Sequence, residues 1–280
     1  MLLFNVLYTT NIVPKWSNFD KKNEKKFFCK ENKQILTIFA KLNNVIMKIE
    51  QILFLDIETV SIMPSYFDLN ERMRKLWDKK ATTIAKKEED TPENLYKKAA
   101  IYAEFGKIVC ISVAYIQKGN LRVTSFANED EKTLLLQFAE MLNKYYNGTN
   151  HYLCAHNGKE FDFPYICRRM LINRIKIPNI LNVQGKKPWE TTFLDTMELW
   201  KFGDYKHYTS LDVLAAIFNI PSPKDDIDGS QVNDVFWQEH NLKKIRTYCE
   251  KDVVTIVQIM LCYLGENIIE DKNIIYINAI

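Results

Sequence analysis

The sequence predicts an α/β chain, and three observations predict it. Ile52-Leu53-Phe54-Leu55 is an uninterrupted apolar run, the signature of a strand buried on both faces. Residues 107–116 and 121–126 are apolar segments on either side of Lys118-Gly119-Asn120, which reads as a β-hairpin. Amphipathic stretches with helical spacing then separate two further short strands.

The 280 residues suffice for one large domain or two small ones, and a hydrophobic content of 47 % supports a substantial core. Six cysteines (Cys29, Cys110, Cys154, Cys167, Cys249, Cys262) are scattered through apolar segments without a C-x-x-C pair. They read as reduced, buried thiols of a cytoplasmic protein rather than as a disulfide framework or a zinc site. No apolar run approaches the roughly 20 residues that span a bilayer, and apolar residues 1–8 lack the basic flank of a signal peptide.

The net charge of +3 is unevenly shared. Residues 1–46 hold eight lysines against Asp20, Glu24 and Glu31, a balance of +5, so the remainder carries −2. Overall charge therefore gives no argument for a nucleic-acid partner; local basic patches or bound metal would have to supply it. The Asn- and Lys-rich leader ends just before Met47, directly ahead of the first strand. Two readings follow: the authentic start is Met47 and residues 1–46 are translated upstream sequence, which is the preferred one, or the leader is a basic arm that helps hold a nucleic acid. The main domain is residues 47–280.

Along that domain, residues 61–104 read as two or three amphipathic helices, with the Arg and Lys around Trp77 and Tyr96 either a solvated face or a strand contact. A helix is predicted over residues 130–146 and a strand over 152–155. Gly158 marks the turn that follows, and Pro164 suits the first turn of a helix running to about Asn173. A strand at 193–196 and helices at 210–218 and 233–240 come next. Residues 221–229 superficially resemble a calcium loop, but with Gly229 in the sixth position the first would be Lys224 and the twelfth Val235, so both required acids are missing. The last helix, 242–263, aligns Ile245, Cys249, Val253, Ile256, Met260 and Tyr263 as one apolar stripe, bordered by Tyr248 and Asp252.

Three features carry chemistry. Asp56 and Glu58 stand two apart on a strand and so share a face, where like charges raise each other's pKa unless a cation neutralises them. Asp162 is delivered at a helix start beyond a strand end, and Tyr248 and Asp252 stack one turn apart on a helix. Each has an ordinary explanation: a strand running into a polar loop, a helix N-cap, a surface Tyr–Asp pair.

Taken together, Asp56-x-Glu58, Asn157-x-x-x-Phe161-Asp162 and Tyr248-x-x-x-Asp252 resemble the DEDDy 3′–5′ exonuclease superfamily. Residues 54–59, 156–164 and 248–254 are most similar to the stand-alone bacterial exonucleases related to the proofreading domain of family B DNA polymerases, and the resemblance covers about residues 48–268. The histidine form of the third motif would need histidine at Thr247, so Tyr248 assigns the tyrosine branch. The resemblance implies a ribonuclease H-like fold, a mixed central β-sheet flanked by α-helices, and a metal-dependent 3′–5′ exonuclease that releases nucleoside 5′-monophosphates from single-stranded 3′ ends, DNA in the first instance. It implies two Mg²⁺ or Mn²⁺ ions held by Asp56, Glu58, Asp162 and Asp252. Asp56 would bridge both, Glu58 and Asp252 would hold the ion that activates water, Asp162 would hold the other, and Tyr248 would orient the water.

Thr59, Asn157, Phe161, Lys206 and Lys224 are candidate substrate contacts, although Asn157 and Phe161 also fit a role in shaping their turn. Asp195 reads as a cap or sheet support, and His156 and His207 as structural. No polymerase domain fits in the remaining residues, so a polymerase or repair partner would act in trans. Two competing readings are an exoribonuclease with the same acids, since sugar discrimination rests on a few contacts at the 2′ position, and a silent binding module. Retention of all four acids and Tyr248 argues against the second.

Overall fold

The first strand is longer than its apolar run. In the computed structural model, which describes residues 48–204, 208–221 and 227–277, β1 extends over Ile52–Ser61 and so carries Asp56, Glu58 and Thr59 within it. Met47 with the leader, Lys206, His207, Lys224 and the middle of the 221–229 turn lie outside the described residues.

The remaining strands are β2 (Gly106–Gln117), β3 (Asn120–Ala127), β4 (Tyr152–Ala155), β5 (Phe193–Asp195) and β6 (Ile274–Ile277), and the sheet order is β5-β4-β1-β2-β3-β6. β2 runs antiparallel to β1 and to β3, while β4 pairs with β1, β5 with β4 and β6 with β3 in parallel. The β2–β3 hairpin closes on Lys118 (φ 53°) and Gly119 (φ 76°), two left-handed residues whose twist matches the flanking strands. The described helices are α1 (Glu71–Ile84), α2 (Glu131–Tyr145), α3 (Asp162–Ile172), α4 (Thr196–Lys201), α5 (Leu211–Ile217), α6 (Val232–Trp237) and α7 (Leu242–Leu264). This mixed sheet between helices is the ribonuclease H-like α/β fold that the resemblance implies.

Strand alternation sorts the core. Leu53, Leu55 and Ile57 pack with Leu153, Ala155 and the buried sides of α2 and α3. Ile52 and Phe54 face the other way, onto Val253, Ile256, Val257 and Met260 of α7. Ile52 to Leu55 are all fully buried, each worth about 1.5–3 kcal/mol relative to exposure. A register shift between Glu58 and Thr59 leaves Val109 as the extra residue in β2. Val109 and Cys110 then both join Val60, Ile245 and Cys249 on the α7 side, while Ile108 and Ile111 stay opposite. Such a bulge re-aims side chains next to functional sites.

Residues 61–104 depart from expectation. They hold one α-helix, α1, and two short 3₁₀ segments, Tyr66–Asp68 and Tyr96–Ile101. Trp77 is fully buried and Tyr96 nearly so, packed with Leu69, Leu95 and Phe105, and the indole N–H of Trp77 donates to the carbonyl of Pro92 at 2.7 Å. Neither ring is available to stack on a nucleic-acid base. β6 was not anticipated; its Ile-Ile-Tyr-Ile run extends the sheet beyond β3. Among the described residues no helix is long and apolar enough to cross a membrane, and Cys110, Cys154, Cys167, Cys249 and Cys262 are free thiols.

α2 and α3 are tied by a buried ion pair. The Arg169 guanidinium donates to both Glu131 carboxylate oxygens (2.8 and 2.6 Å) and to the Ala103 carbonyl, and Glu131 also accepts from the Ile108 N–H. Arg169→Leu leaves the Glu131 charge buried and uncompensated, so urea denaturation should show a loss of about 3–5 kcal/mol. Lys75→Ala, which breaks an exposed pair with Glu71, should cost less than about 1 kcal/mol.

Candidate active site

Asp56 and Glu58 lie on the α7 face of β1, as alternation from Ile52 and Phe54 dictates. Glu58 is only 8 % exposed, and Asp56 is half-buried. Above them α7 presents Tyr248, Cys249 and Asp252 from consecutive turns. The axial position of α7 is fixed by a polar chain beneath Asp56. Ser112, the cross-strand partner of Asp56, meets the Ser125 hydroxyl at 2.8 Å; Ser125 donates to Glu250 at 2.8 Å, and Arg246 donates to the same carboxylate at 2.7 Å.

Asp162 arrives from the opposite face. Pairing of β4 with β1 ends at Phe54, and past that point the N-terminus of α3 comes against β1, where the Asp162 carboxylate accepts from its own N–H and from that of Ile57. It is the first residue of the helix rather than its N-cap, which is Phe161. The turn leading to it is tightly held. Asp195 accepts from the N–H groups of Asn157 (3.0 Å), Lys159 (3.1 Å), Met197 (3.0 Å) and Glu198 (3.2 Å), capping α4 and clamping the turn with one carboxylate. Gly158 is required by close approach: a Cβ there would sit 2.3 Å from that of Ala155 and 3.2 Å from the Phe163 ring. His156 bridges the Thr196 hydroxyl and the Thr209 carbonyl, both at 2.9 Å, which makes it structural.

The electrostatics report the convergence. Burial pushes the Asp56 carboxyl well above the usual carboxylate range, and the charges of Asp252 and then Asp162 push it further; the Cys249 thiol partly offsets them. Glu58 is raised by burial, then by Asp56 and Asp252. Burial raises Asp162 to about 8 despite its backbone donors. The Tyr248 phenol is raised by burial and by Asp252, to which it donates a hydrogen bond. Asp56, Glu58, Asp162 and Asp252 thus feel one another in a water-poor site. Hard oxygen donors that repel one another suit a divalent cation, and no hydrogen-bond donor among the described residues reaches the Glu58 carboxylate.

The secondary candidates divide. Thr59 does not face the acids; its hydroxyl meets that of Tyr165 on the α3 side. The Phe161 ring packs on Tyr165, 5.3 Å between centroids, and both Thr59 and Phe161 are half-buried. Asn157 adopts φ 61° in the turn, and its side-chain oxygen is buried without a partner. Two features escaped sequence reading. One is Cys249, whose Sγ lies 3.4 Å from Asp56 Oδ2. The other is a cleft of about 260 Å³ beside Tyr248, lined by Lys243, Lys244, Thr247 and Lys251.

The family described as "predicted 3′–5′ exonuclease related to the exonuclease domain of PolB" matches residues 100–272, more than half of the chain. The chain belongs to this family. The interval that matches the PolB-related exonuclease family holds Asp162, Tyr248 and Asp252, while Asp56 and Glu58 precede it and join the others through the sheet. Among solved structures, the family B DNA polymerase from the hyperthermophilic archaeon Pyrobaculum calidifontis is similar at a TM-score of 0.47 and 13 % identity, over 76 % of this chain and 24 % of that one. The chain thus spans about a quarter of that polymerase's length. No curated protein matches.

Because Asp56 is crowded by the carboxylates of Glu58, Asp162 and Asp252, Asp56→Asn removes repulsion in the metal-free state. In EDTA its Tm should equal or exceed the wild-type value, each kcal/mol of relief appearing as about 2–4 °C. A Tm several degrees lower in EDTA would make Asp56 a structural acid.

Proposed function

We propose that this exonuclease removes nucleotides one at a time from the 3′ end of single-stranded DNA, releasing nucleoside 5′-monophosphates, with Asp56, Glu58, Asp162 and Asp252 holding two Mg²⁺ or Mn²⁺ ions. The observation that carries this reading is the electrostatic contact of these four acids, which three elements, β1, α3 and α7, deliver to one site. Divalent ions there supply charge neutralisation at the phosphate and a lowered pKa for water. The chain's own residues do the rest. Glu58 and Asp56 present oxygen donors from a rigid strand in the middle of the sheet. Asp162 is held by backbone N–H groups, so its carboxylate is oriented before substrate arrives. Tyr248 stays protonated near neutral pH and is a fixed hydroxyl, suited to orienting a water beside the scissile phosphate rather than to taking its proton.

The lysines next to Tyr248 support an anionic substrate. Lys243 and Lys244 stand in the first turn of α7, which holds no acidic residue to complement the positive end of the helix dipole, although Lys244 pairs with Glu239 at 3.4 Å just ahead of it. Cations are disfavoured at that position by about 0.3–1 kcal/mol each, a local cost that a phosphate backbone entering the cleft would relieve.

With 5′-labelled single-stranded DNA and Mg²⁺ or Mn²⁺, products should shorten stepwise from the 3′ end, and EDTA should abolish the reaction. A ladder starting at the 5′ end, or cleavage in EDTA, overturns the reading; faster shortening of RNA than of DNA would move the substrate to RNA with the same machinery.

Tyr248→Phe keeps the ring and loses only the hydroxyl. It should lower kcat about 10²–10³-fold with little change in KM, and Asp56→Asn should lower it more. Binding of single-stranded DNA in Ca²⁺, where cleavage does not intervene, should be unchanged in the Phe variant. Wild-type turnover in that variant would reduce Tyr248 to an aromatic at the core edge.

A further inference from the structure

Beside the four carboxylates the site holds sulfur, Cys249 with the Cys110 thiol hydrogen-bonded to it. Cys249 lies between Tyr248 and Asp252 on α7, fully buried from the helix side. Its Sγ is 3.4 Å from Asp56 Oδ2 and 3.4 Å from the Asp56 carbonyl oxygen. Donor atoms of Asp56, Glu58 and Cys249 all lie within 4.8 Å of one another. Zinc–oxygen bonds of about 2.1 Å and a zinc–sulfur bond of about 2.3 Å in a tetrahedron put oxygen and sulfur roughly 3.6 Å apart. The Asp56–Cys249 separation already matches that span. Glu58, more than nine-tenths buried and without a hydrogen-bond donor among the described residues, supplies the second oxygen.

We propose that Asp56, Glu58 and Cys249 form a mixed oxygen–sulfur site for a thiophilic divalent ion of the zinc class. Hard ions ignore sulfur: Mg²⁺ and Mn²⁺ favour carboxylate, carbonyl and water oxygens and leave the thiol protonated, donating to Asp56. A thiophilic ion displaces that proton. The S–H bond breaks, the sulfur–metal bond forms from the same electron pair, and one proton leaves to buffer for each ion bound. The two ligand sets share Asp56 and Glu58, so a zinc-class ion and the catalytic ions exclude each other. This competition rests on the exonuclease reading; the site itself does not.

The test therefore reads ligation rather than cleavage. The full chain, stripped with EDTA and dialysed, is titrated with Cd²⁺ while the ultraviolet thiolate-to-cadmium charge-transfer band is followed. The band should rise to saturation at one equivalent with release of one proton, persist in Cys110→Ser, and vanish in Cys249→Ser. Glu58→Gln retains the thiol and should weaken Cd²⁺ affinity at least about tenfold, which keeps the test valid if Cys249→Ser misfolds. An absent band, a band that survives in Cys249→Ser, or an affinity unchanged in Glu58→Gln would each overturn the assignment.

Discussion

Bringing like charges together out of water is the constraint on which the rest of this structure depends. Burial raises the carboxyls of Asp56, Glu58 and Asp162, and the charges of Asp162 and Asp252 raise Asp56 and Glu58 further, two effects that both oppose the ionised state. The few local donors, backbone N–H groups at Asp162 and the Cys249 thiol at Asp56, orient the acids without neutralising them. They stay because each belongs to an element whose packing is satisfied elsewhere: β1 by a buried run on both faces, α3 by Phe163, Ile166 and Met170, and α7 by its long contact with the sheet. The hydrophobic core keeps the acids crowded, and the crowding is what makes the site receptive to cations.

The polar interior has a similar logic. Glu250 would be a costly buried charge, but Arg246 neutralises it and Ser125 donates to it, so it locks α7 against β3 at one axial position. A slip of one turn along α7 would put Tyr248 where Asp252 now stands. Apolar packing alone tolerates such shifts better than a hydrogen-bonded chain with one geometry.

Most of the framework was legible in the sequence because it rests on local chemistry. The Ile52–Leu55 run, the Lys118-Gly119 turn, the turn at Gly158 and the apolar stripe of α7 each follow from residue type and spacing within a few positions. What was missed depends on partners far along the chain. Trp77 looks the same in sequence whether solvent or Leu95, Tyr96 and Phe105 cover it. β6 exists as a strand only because β3, some 150 residues earlier, offers an open edge. Thr59 follows the acids in sequence and faces away from them in space. Cys249 reads as one more residue of an apolar stripe, and only the meeting of α7 with a strand 193 positions away shows what its sulfur touches.

Asp195 has a consequence of its own. One carboxylate receives four backbone N–H groups from two chain segments, Asn157 and Lys159 on one side and Met197 and Glu198 on the other. Those segments cannot loosen independently, because releasing either leaves a nearly buried charge short of donors. The turn that delivers Asp162 and the start of α4 therefore form one cooperative opening unit, and solvent reaches the amides of both through the same rare fluctuation.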